Sequence, residues 1–458
     1  MLGTLIKKEI VGHVLSLRFT ATLILFLILV FCSLYVTTSQ YLARQGQYFQ
    51  RQRVAEQNLE SILNEDREWR LWDRLFWWEG RETPVPVSPL SAIAEGLSPV
   101  FPASVSVMAE SWSNVQQTTS NNPLVGLVRT TDFVYVVSIV LSFLAVLFVF
   151  DSVCGEKESG TLRLMLSNAI PRHNVLLAKW IGGGLVLLIP FLVAALGGII
   201  YVRAKGGIEL TGESSARIAL LLIIAVLYIS AIFSMGLFVS SRTHRATTAL
   251  FCGLLAWVVW IIVIPNLAPV VARVVAPTPS PKKIAAEKAA IDEEIKIRTK
   301  RLVLGGSLSY ADETQKKISE LEQEGQQRKA RWDRFLEKSS QKQSGLASAL
   351  ARISPAASWS FAATELMHTG KSDYKRFETA RQKVRQEMKA KHDELDDWWQ
   401  NPERLREIRP DELPSLRITR PGLTESIQSA VNDILILVIW NVVFFMAAFV
   451  SFLRYDVR

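Results

Sequence analysis

The sequence predicts an all-α membrane protein with six transmembrane helices and two extracytoplasmic inserts, the second largely helical and hairpin- or coiled-coil-like. Three observations support this prediction. The apolar residues of the 458-residue chain are gathered into runs of membrane-spanning length rather than spread evenly. Basic residues flank these runs, as membrane topology requires. Two long polar stretches separate the first run from the second and the fifth from the sixth.

The chain begins with an amphipathic segment, residues 1–18, that predicts an interfacial helix on the cytoplasmic membrane surface. Its apolar residues recur at helical spacing, with Lys7, Lys8 and Glu9 opposite them: Leu2, Leu5, Ile6 and Ile10. The apolar run at 19–36 is nearer a spanning length of ~20 residues than a signal-peptide core of ~7–15, and no small-x-small cleavage site follows it. We therefore expect it to remain as the first span.

Five further apolar runs predict the remaining spans, and an even number of spans places both termini on one side of the membrane. The predicted spans are 133–150, 175–201, 218–239, 247–271 and 434–453. Lys and Arg are frequent in the short loops on the side of the termini, so we expect these loops and both termini to be cytoplasmic. One short loop on the far side carries Arg203, Lys205 and Arg217 and weakens this bias.

The two inserts, residues 37–132 and 272–432, are therefore predicted to lie outside the cytoplasm. The first opens with a polar helical stretch and continues with crowded aromatic residues: Trp72, Phe76, Trp77 and Trp78. An aromatic belt or a domain core at the membrane surface explains these rings better than a ligand-stacking site does.

The second insert opens with "IPNLAPVVARVVAPTPSPKK", whose prolines predict an interrupted helix and a stiff exit from the bilayer. Two helical patterns separated by "GGS" at 305–307 then predict a helical hairpin. A third pattern has apolar residues on one face, which we expect to be buried against neighbouring helices rather than to form a binding groove. Its members are Tyr374, Phe377, Val384, Met388, Leu395 and Trp398.

Several functions find no support in the sequence. The net charge of +9 is not accompanied by any nucleic-acid-binding pattern, and the three cysteines lie in or beside apolar runs. The histidines have no metal-ligand spacing, and no nucleophile or zincin motif is present. "HTGKS" at 368–372 ends like a phosphate-binding loop, but Glu365 stands where that motif needs glycine. We predict no catalytic site, cofactor or metal in this chain.

Fixed charges are nearly absent from the interior of the spans, which argues against an ion channel or a proton-driven carrier. The central polar residues are Ser230, Ser234 and Asn441. Hydrogen bonds between helices explain them better than a substrate path does. An energy source outside this chain is therefore expected.

The connection between the second and third spans, predicted at 151–174, holds the most specific motif. "DSVCGEKESGTLRLMLSNAIPRHNVLLAKW" resembles the hallmark of ABC-2 type permease subunits of ABC transporters, in which an acidic-Gly-Thr-Leu run, a short Leu-rich helix and Pro-Arg precede the third span. "DFVYVVSIVLSFLAVLFVFD" and "SSRTHRATTALFCGLLAW" are similar to that family, and "PLSAIAEGLSPVF" resembles its branch with large extracytoplasmic inserts. The resemblance covers all six spans and is weak over 282–420.

The resemblance implies a permease in the plasma (bacterial inner) membrane that works with a separate cytoplasmic ABC ATPase, which would hold ATP and Mg²⁺, and with a second permease copy or homologue. The residues expected to couple to the ATPase are Glu156, Lys157, Glu158, Ser159, Gly160, Thr161, Leu162 and Arg163. A soluble ATPase can act on a membrane-embedded bundle only through cytoplasmic protrusions. Glu156 and Glu158 with Arg163 offer charges for docking, and a ridge of Leu162, Leu164 and Leu166 offers apolar contact. An amphipathic helix lying on lipid is the alternative.

Three functions remain open at this point. The first is export of an unidentified substrate. The second is mechanotransmission, in which ATP hydrolysis moves the spans and the outer helices act on an extracytoplasmic partner without any substrate crossing the membrane. An assembly scaffold without ATP coupling is the third.

Overall fold

The computed structural model describes residues 2–109, 112–115, 132–167, 171–209, 211–305 and 311–454. Within these residues six helices are long and apolar enough to cross a membrane: Phe19–Leu63, Phe133–Glu158, Arg172–Ala204, Gly212–Arg242, Ala246–Val275 and Leu423–Leu453. Each predicted span lies inside one of these helices. The predicted fold class, an all-α membrane protein with six spans, is confirmed.

The helices are numbered in chain order. They are α1 (Leu2–Val14), α2 (Leu17–Leu63), α3 (Glu68–Asp73), α4 (133–149, with a π-helical turn at Val136–Leu141), α5 (Cys154–Glu158), α6 (Thr161–Ser167), α7 (Arg172–Ala204), α8 (Gly212–Arg242), α9 (Ala246–Val275, with a π-helical turn at Val258–Val263), α10 (Pro281–Gly305), α11 (Ala311–Ala351), α12 (Pro355–Leu366), α13 (Lys371–Glu394), α14 (Pro402–Arg406) and α15 (Leu423–Leu453).

Polar side chains cap the start of three spans. The Ser16 hydroxyl accepts from the backbone N–H of Phe19 at the start of α2, and the Asp132 carboxylate accepts from that of Tyr135 at the start of α4. At the start of α8, Thr211 and Ser214 form a reciprocal capping box. These bonds satisfy backbone donors that the first helical turn leaves without partners.

The prediction that the proline-rich segment from Ile264 onward cannot continue a helix was wrong for its first part, up to Val275. Helix α9 continues through Pro265 and Pro269 to Val275, and the regular helix is interrupted only between Val275 and Pro281. A proline removes one backbone donor and crowds the preceding turn. The π-helical turn at Val258–Val263 directly precedes this part and loosens the hydrogen-bond ladder there, and an apolar surrounding favours a continued helix over exposed backbone.

The chain forms two compact units, Met1–Ile261 with Pro355–Arg458, and Ile262–Ser354. The second unit contains the predicted helical hairpin, which is confirmed. α10 and α11 run antiparallel and are joined by three ion pairs: Lys288–Asp333, Lys329–Asp292 and Arg328–Glu294. Gly325 faces Ile295, where an added Cβ would lie 3.0 Å from Cγ1. Gly306 and Ser307 of the predicted break lie outside the described residues.

In the first unit, both inserts contribute to one domain. Trp72 and Phe76 of the first insert and Phe377 and Met388 of the second belong to the same buried cluster. A three-stranded antiparallel sheet, absent from the sequence prediction, lies beside it: β1 (Arg81–Pro84), β2 (Ser104–Val107) and β3 (Trp112–Val115). The apolar stripe on α13 is therefore a packing surface, as predicted. We call this assembly the outer domain.

The outer-domain core contacts a distant part of the first span helix. α2 runs without interruption from Leu17 to Leu63, and its residues Leu59 and Ile62 join the core that contains Trp72. At ~1.5 Å per helical residue, Leu59 lies about 35 Å along the helix from Val36, the end of the predicted span. Trp72 and Phe76 thus belong to a domain core, which is one of the two alternatives that the sequence predicted for them.

One helix of the second insert belongs to the span bundle instead. Trp359 of α12 is fully buried, and its ring stacks on Tyr228 near the middle of α8, with centroids 6.1 Å apart. At the other end of α12, the Leu366 carbonyl accepts from Arg217 Nη1 at 3.0 Å. The range 272–432, predicted as one outer domain, therefore includes a helix that packs among the spans, and most of the residues of α12 are buried there.

The span bundle has two distinct ends. At one end lie α1, α5, α6, the turn between α8 and α9, and the last turn of α15, where Arg172 Nη1 donates to the Leu453 carbonyl at 2.8 Å. We call this the loop end. At the opposite end, α7 ends at Ala204 and α8 begins at Gly212, close to the outer domain; we call this the domain end.

Candidate functional site

The predicted coupling segment forms a compact pair of short helices at the loop end. α5 ends at Glu158 and α6 begins at Thr161, with Ser159 and Gly160 between them. Gly160 has a φ of +75°, a left-handed conformation that glycine adopts without a Cβ penalty. The side chain of Leu162 is fully buried and fixes α6 to the body of the protein.

A buried lysine joins this pair to two other helices. The side chain of Lys179, in α7, is only 2% exposed, and its Nζ lies 2.9 Å from Glu156 Oε1 on α5 and 3.1 Å from Glu9 Oε1 on α1. A buried ammonium needs such partners because transfer out of water costs several kcal/mol per ion. An added Cβ at Gly182 would lie 2.8 Å from Glu9 Cβ, so α1 and α7 approach closely here. We call Lys179, Glu156 and Glu9 the lysine node.

The next two residues of α5 bind the ends of two further spans. Lys157 Nζ donates to the carbonyls of Ser241 and Thr243 (the latter at 3.2 Å) at the C-terminus of α8. The Glu158 carboxylate accepts from the backbone N–H of Ala246 at 2.9 Å, at the N-terminus of α9. Each charge has the sign that the local helix dipole favours. The backbone N–H of Val153 and that of Cys154 also donate to Ser240 Oγ.

Comparison with known proteins decides the family. A family model described as "ABC-2 family transporter protein" matches residues 4–457, nearly the whole chain. The chain belongs to the ABC-2 transporter family. It is therefore a membrane component of an ABC transporter.

Two curated proteins resemble parts of this ABC-2 protein, and both are named probable ABC transporter permease protein NosY. That of Pseudomonas aeruginosa is 29% identical over 114 residues, which cover 24% of this chain and 42% of the relative. That of Stutzerimonas stutzeri is 38% identical over 53 residues, covering 12% of this chain and 19% of the relative. The chain thus spans less than half the length of either relative.

The geometry of the ABC-2 protein corrects part of the predicted docking surface. Glu156 and Leu162 point inward, the first to the lysine node and the second into the core, so neither is available as proposed from sequence. Glu9, expected on the polar face of α1, lies on its packed face. The exposed residues of the pair form what we call the docking face: Glu158, Ser159, Thr161, Arg163, Leu164 and Ser167. The side chain of Leu166 lies outside the described residues.

Lys179 and Ser240 are the residues that the sequence analysis missed. A lone lysine in "VLLAKWIGG", at the start of an apolar span, was the available signal, since a charge at that position needs a counter-ion. The identity of that counter-ion could not be read, because Glu9 and Glu156 are distant in sequence. Ser240 gave no signal at all.

The "HTGKS" stretch of the ABC-2 protein also has a physical explanation. The Glu365 carboxylate accepts from the backbone N–H of Ser372 at 3.1 Å, so it occupies the N-terminus of α13 where a phosphate would have to bind. Burial raises the pKa of this carboxyl. An added Cβ at Gly370 would lie 2.7 Å from the Glu365 side chain, so the glycine makes room for a carboxylate rather than for a nucleotide.

Polar residues inside the spans of the ABC-2 protein join helices, as predicted. Asn441 Nδ2 donates to the Leu227 carbonyl at 2.8 Å, linking α15 to α8. Trp180 Nε1 donates to Ser234 Oγ at 2.8 Å, linking α7 to α8. Ser230 lines an apolar cleft of about 170 Å³ between α7 and α8.

Proposed function

We propose that this ABC-2 protein is the permease subunit of an ATP-driven exporter in the plasma (bacterial inner) membrane, with the loop end and both termini in the cytoplasm. A separate ABC ATPase binds the docking face and carries ATP and Mg²⁺. A second permease copy or homologue completes the membrane part. The exported substrate is unidentified.

The links made by α5 carry this proposal. Three consecutive side chains, Glu156, Lys157 and Glu158, each bind a different span, namely α7, α8 and α9. A displacement of the α5–α6 pair therefore acts on three spans at once, and on α1 through Glu9. A helix lying passively on lipid has no need of such links.

The docking face has the composition of a small protein interface. Leu164 lies at the centre of the docking face and is 71% exposed, and the residues around it are polar or charged. An exposed leucine with a polar rim suits an apolar anchor that enters a pocket of the partner. The ATPase would be held by Leu164 and Arg163, while Glu156 and Lys157 transmit its movement.

Docking can be tested by co-purification of the full-length permease with its ATPase. Leu164→Asp should weaken recovery of the ATPase, whereas Ser167→Asp, at the end of the same face, should do so less. Glu156→Gln should leave recovery close to wild type and reduce the stimulation of ATP hydrolysis, because it breaks a link behind the interface. Unchanged recovery with Leu164→Asp would refute docking at this face.

Mechanotransmission is the second candidate, and α2 favours it. This helix is 47 residues long, about 70 Å, and connects the first span to the outer-domain core without a break. Movement of the span would be delivered directly to the outer domain and to a partner bound there.

A flexible insertion separates the two candidates. A four-residue Gly-Ser linker inserted after Gly46, whose Cβ position is open, would interrupt α2 between the first span and the outer-domain core. If the protein is a mechanotransmitter, the distance between spin labels on cysteines introduced at Ser61 and Ser167, in a variant without the native cysteines, should change with ATP, and the insertion should abolish this change. Double electron–electron resonance measures the distance. No nucleotide-dependent change in the uninterrupted protein would favour export alone.

A further inference from the structure

A polar cleft of about 490 Å³ opens at the domain end of the span bundle. Its walls come from α2, from the connection between α7 and α8, from the first turns of α8 and from the segment that precedes α15. The polar residues that line it include Tyr41, Glu209, Arg217, His368 and Arg420. The volume is in the range of small-molecule sites, about 300–1,000 Å³.

The cleft contains one cation, Arg420, and one anion, Glu209, whose side chains form no salt bridge with another described residue. Arg420 donates from Nη2 to the Val87 carbonyl at 2.8 Å, and Asp373 is a carboxylate that acts on it electrostatically. Surrounding protein lowers the pKa of its guanidinium by desolvation, although the side chain remains open to the cleft. Glu209 is exposed, and only its backbone carbonyl is engaged, by Ser214 Oγ and the Thr211 N–H.

Arg217 lines the same cleft, and the N–H donors of its guanidinium already have protein acceptors. It binds Glu213 and also donates to the Leu366 carbonyl, the Pro421 carbonyl and Ser426 Oγ. Arg420 makes one of these bonds where Arg217 makes several. A guanidinium offers several N–H donors in a planar fork that suits phosphate and carboxylate oxygens.

A buried polar pair adjoins Arg420. His368, whose side chain is 9% exposed, lines both this cleft and a smaller cavity of about 50 Å³ that also contains Asp373. His368 Nδ1 lies 3.4 Å from Asp373 Oδ1 without a hydrogen bond, and Nδ1 and Asp373 Oδ2 have no hydrogen-bond partner in the described structure. Buried polar atoms are rarely left so, and a ligand or an ordered water completes them.

Arg420 and Glu209 line the same cleft. Both Arg420 and Glu209 are close enough to the Tyr41 hydroxyl to act on it electrostatically. A group that carries a negative and a positive charge a few bonds apart would satisfy both. The cleft lies where the apolar spans end, at the level at which a membrane lipid presents its headgroup.

We propose that this cleft binds a zwitterionic aminophosphate group, the headgroup of a phosphatidylethanolamine-type lipid, with the phosphate on Arg420 and the ammonium on Glu209. His368 stands beside the phosphate position and supplies a further polar contact. This site is independent of ATPase docking at the loop end.

The test is calorimetric titration of the full-length protein in detergent with three probes: dihexanoyl phosphatidylethanolamine, dihexanoyl phosphatidylglycerol and phosphoethanolamine. Wild type should prefer the phosphatidylethanolamine over the phosphatidylglycerol by about tenfold or more, the size expected for one charge-assisted hydrogen bond. Glu209→Gln should remove this preference. Arg420→Gln should lower the binding affinity for both lipids by about tenfold or more.

Controls separate binding from folding. Arg417→Gln changes an exposed arginine three positions away and should bind like wild type. Arg420→Lys keeps a donor for the Val87 carbonyl, so it should fold normally and still bind phosphate less tightly than the arginine fork. Each variant is compared with wild type by thermal unfolding before titration.

The proposal is overturned if Arg420→Lys and Arg420→Gln both bind like wild type, if wild type does not distinguish the two lipids, or if none of the probes binds. If phosphoethanolamine binds as tightly as dihexanoyl phosphatidylethanolamine, the proposal of a lipid ligand is overturned and the ligand is a soluble aminophosphate instead.

Discussion

The two ends of the span bundle each contain a buried cation, and the two are held differently. At the loop end, Lys179 binds two carboxylates on two other helices. At the domain end, Arg217 binds one carboxylate and three neutral acceptors, which come from α12, the segment before α15 and α15 itself. A lysine is a point charge on a flexible stem, while a guanidinium fixes direction as well as distance. The contacts of Lys179 can therefore tolerate small shifts of its neighbouring helices, whereas the contacts of Arg217 require one geometry.

The largest effect should come from Arg217→Ala. This change leaves the carbonyls of Leu366 and Pro421 and the hydroxyl of Ser426 without their donor, and we expect a loss of about 3–5 kcal/mol of unfolding free energy. Thermal unfolding in detergent measures it. Arg203→Ala, an exposed arginine in the last turn of α7, is the matched control and should change little. Equal losses for the two variants would remove the special role assigned to Arg217.

Lys179→Met should cost about 3 kcal/mol, because it leaves Glu9 and Glu156 facing each other without the ammonium between them. If the loss comes from uncompensated charge, adding Glu9→Gln and Glu156→Gln should recover a large part of it. The triple variant would then fold well and still couple poorly to ATP hydrolysis. Failure of the two neutralising changes to recover any stability would mean that packing of the lysine stem, not its charge, holds the node.

Gly160→Ala should cost about 1 kcal/mol through the left-handed backbone alone. No atom lies within 4 Å of the Cβ it would add, so sterics with neighbours do not contribute. Gly184→Ala is the matched control, because it also meets nothing and stands inside helix α7, where alanine should stabilise by a similar amount. Chemical unfolding of the two variants should therefore give changes of opposite sign.

The smallest effect concerns pH and Glu365. Burial raises the pKa of this carboxyl, so the folded state favours the protonated form. The stability it contributes is fully present below the ordinary glutamate pKa of about 4.3 and is lost as the pH rises through the raised value. Glu365→Gln should therefore unfold with a weaker pH dependence than wild type between the ordinary pKa and the raised one. Glu387→Gln, on the next helix α13 and largely exposed, should keep the wild-type profile; a profile of Glu365→Gln that matches wild type would contradict the assignment.

Much of the span architecture could be predicted because it depends on local composition. Apolar runs of membrane length gave all six spans, and the acidic-Gly-Thr-Leu motif gave the position of the α5–α6 pair. The roles of individual side chains within that pair were less accessible. Glu156 and Leu162 carry residue types that suit a docking surface, and only the position of Lys179 and of the core turns them inward.

The inserts show the same limit on a larger scale. The hairpin of α10 and α11 follows from periodic apolar residues in two adjacent segments, so pattern alone was sufficient. The outer domain joins residues near Trp72 to residues near Phe377, about three hundred positions apart in sequence, and no local pattern specifies such a partner.

The sequence by itself determined which segments are apolar enough to leave water, which segments are helical and where the acidic-Gly-Thr-Leu motif stands, because these depend on residues close together in the chain. The tertiary structure alone decided that α12 packs among the spans, that Glu9 and Glu156 share one lysine, and that Arg420 and Glu209 line one cleft. Those outcomes depend on which buried charges and apolar faces meet, and a chain brings distant residues together only when it folds.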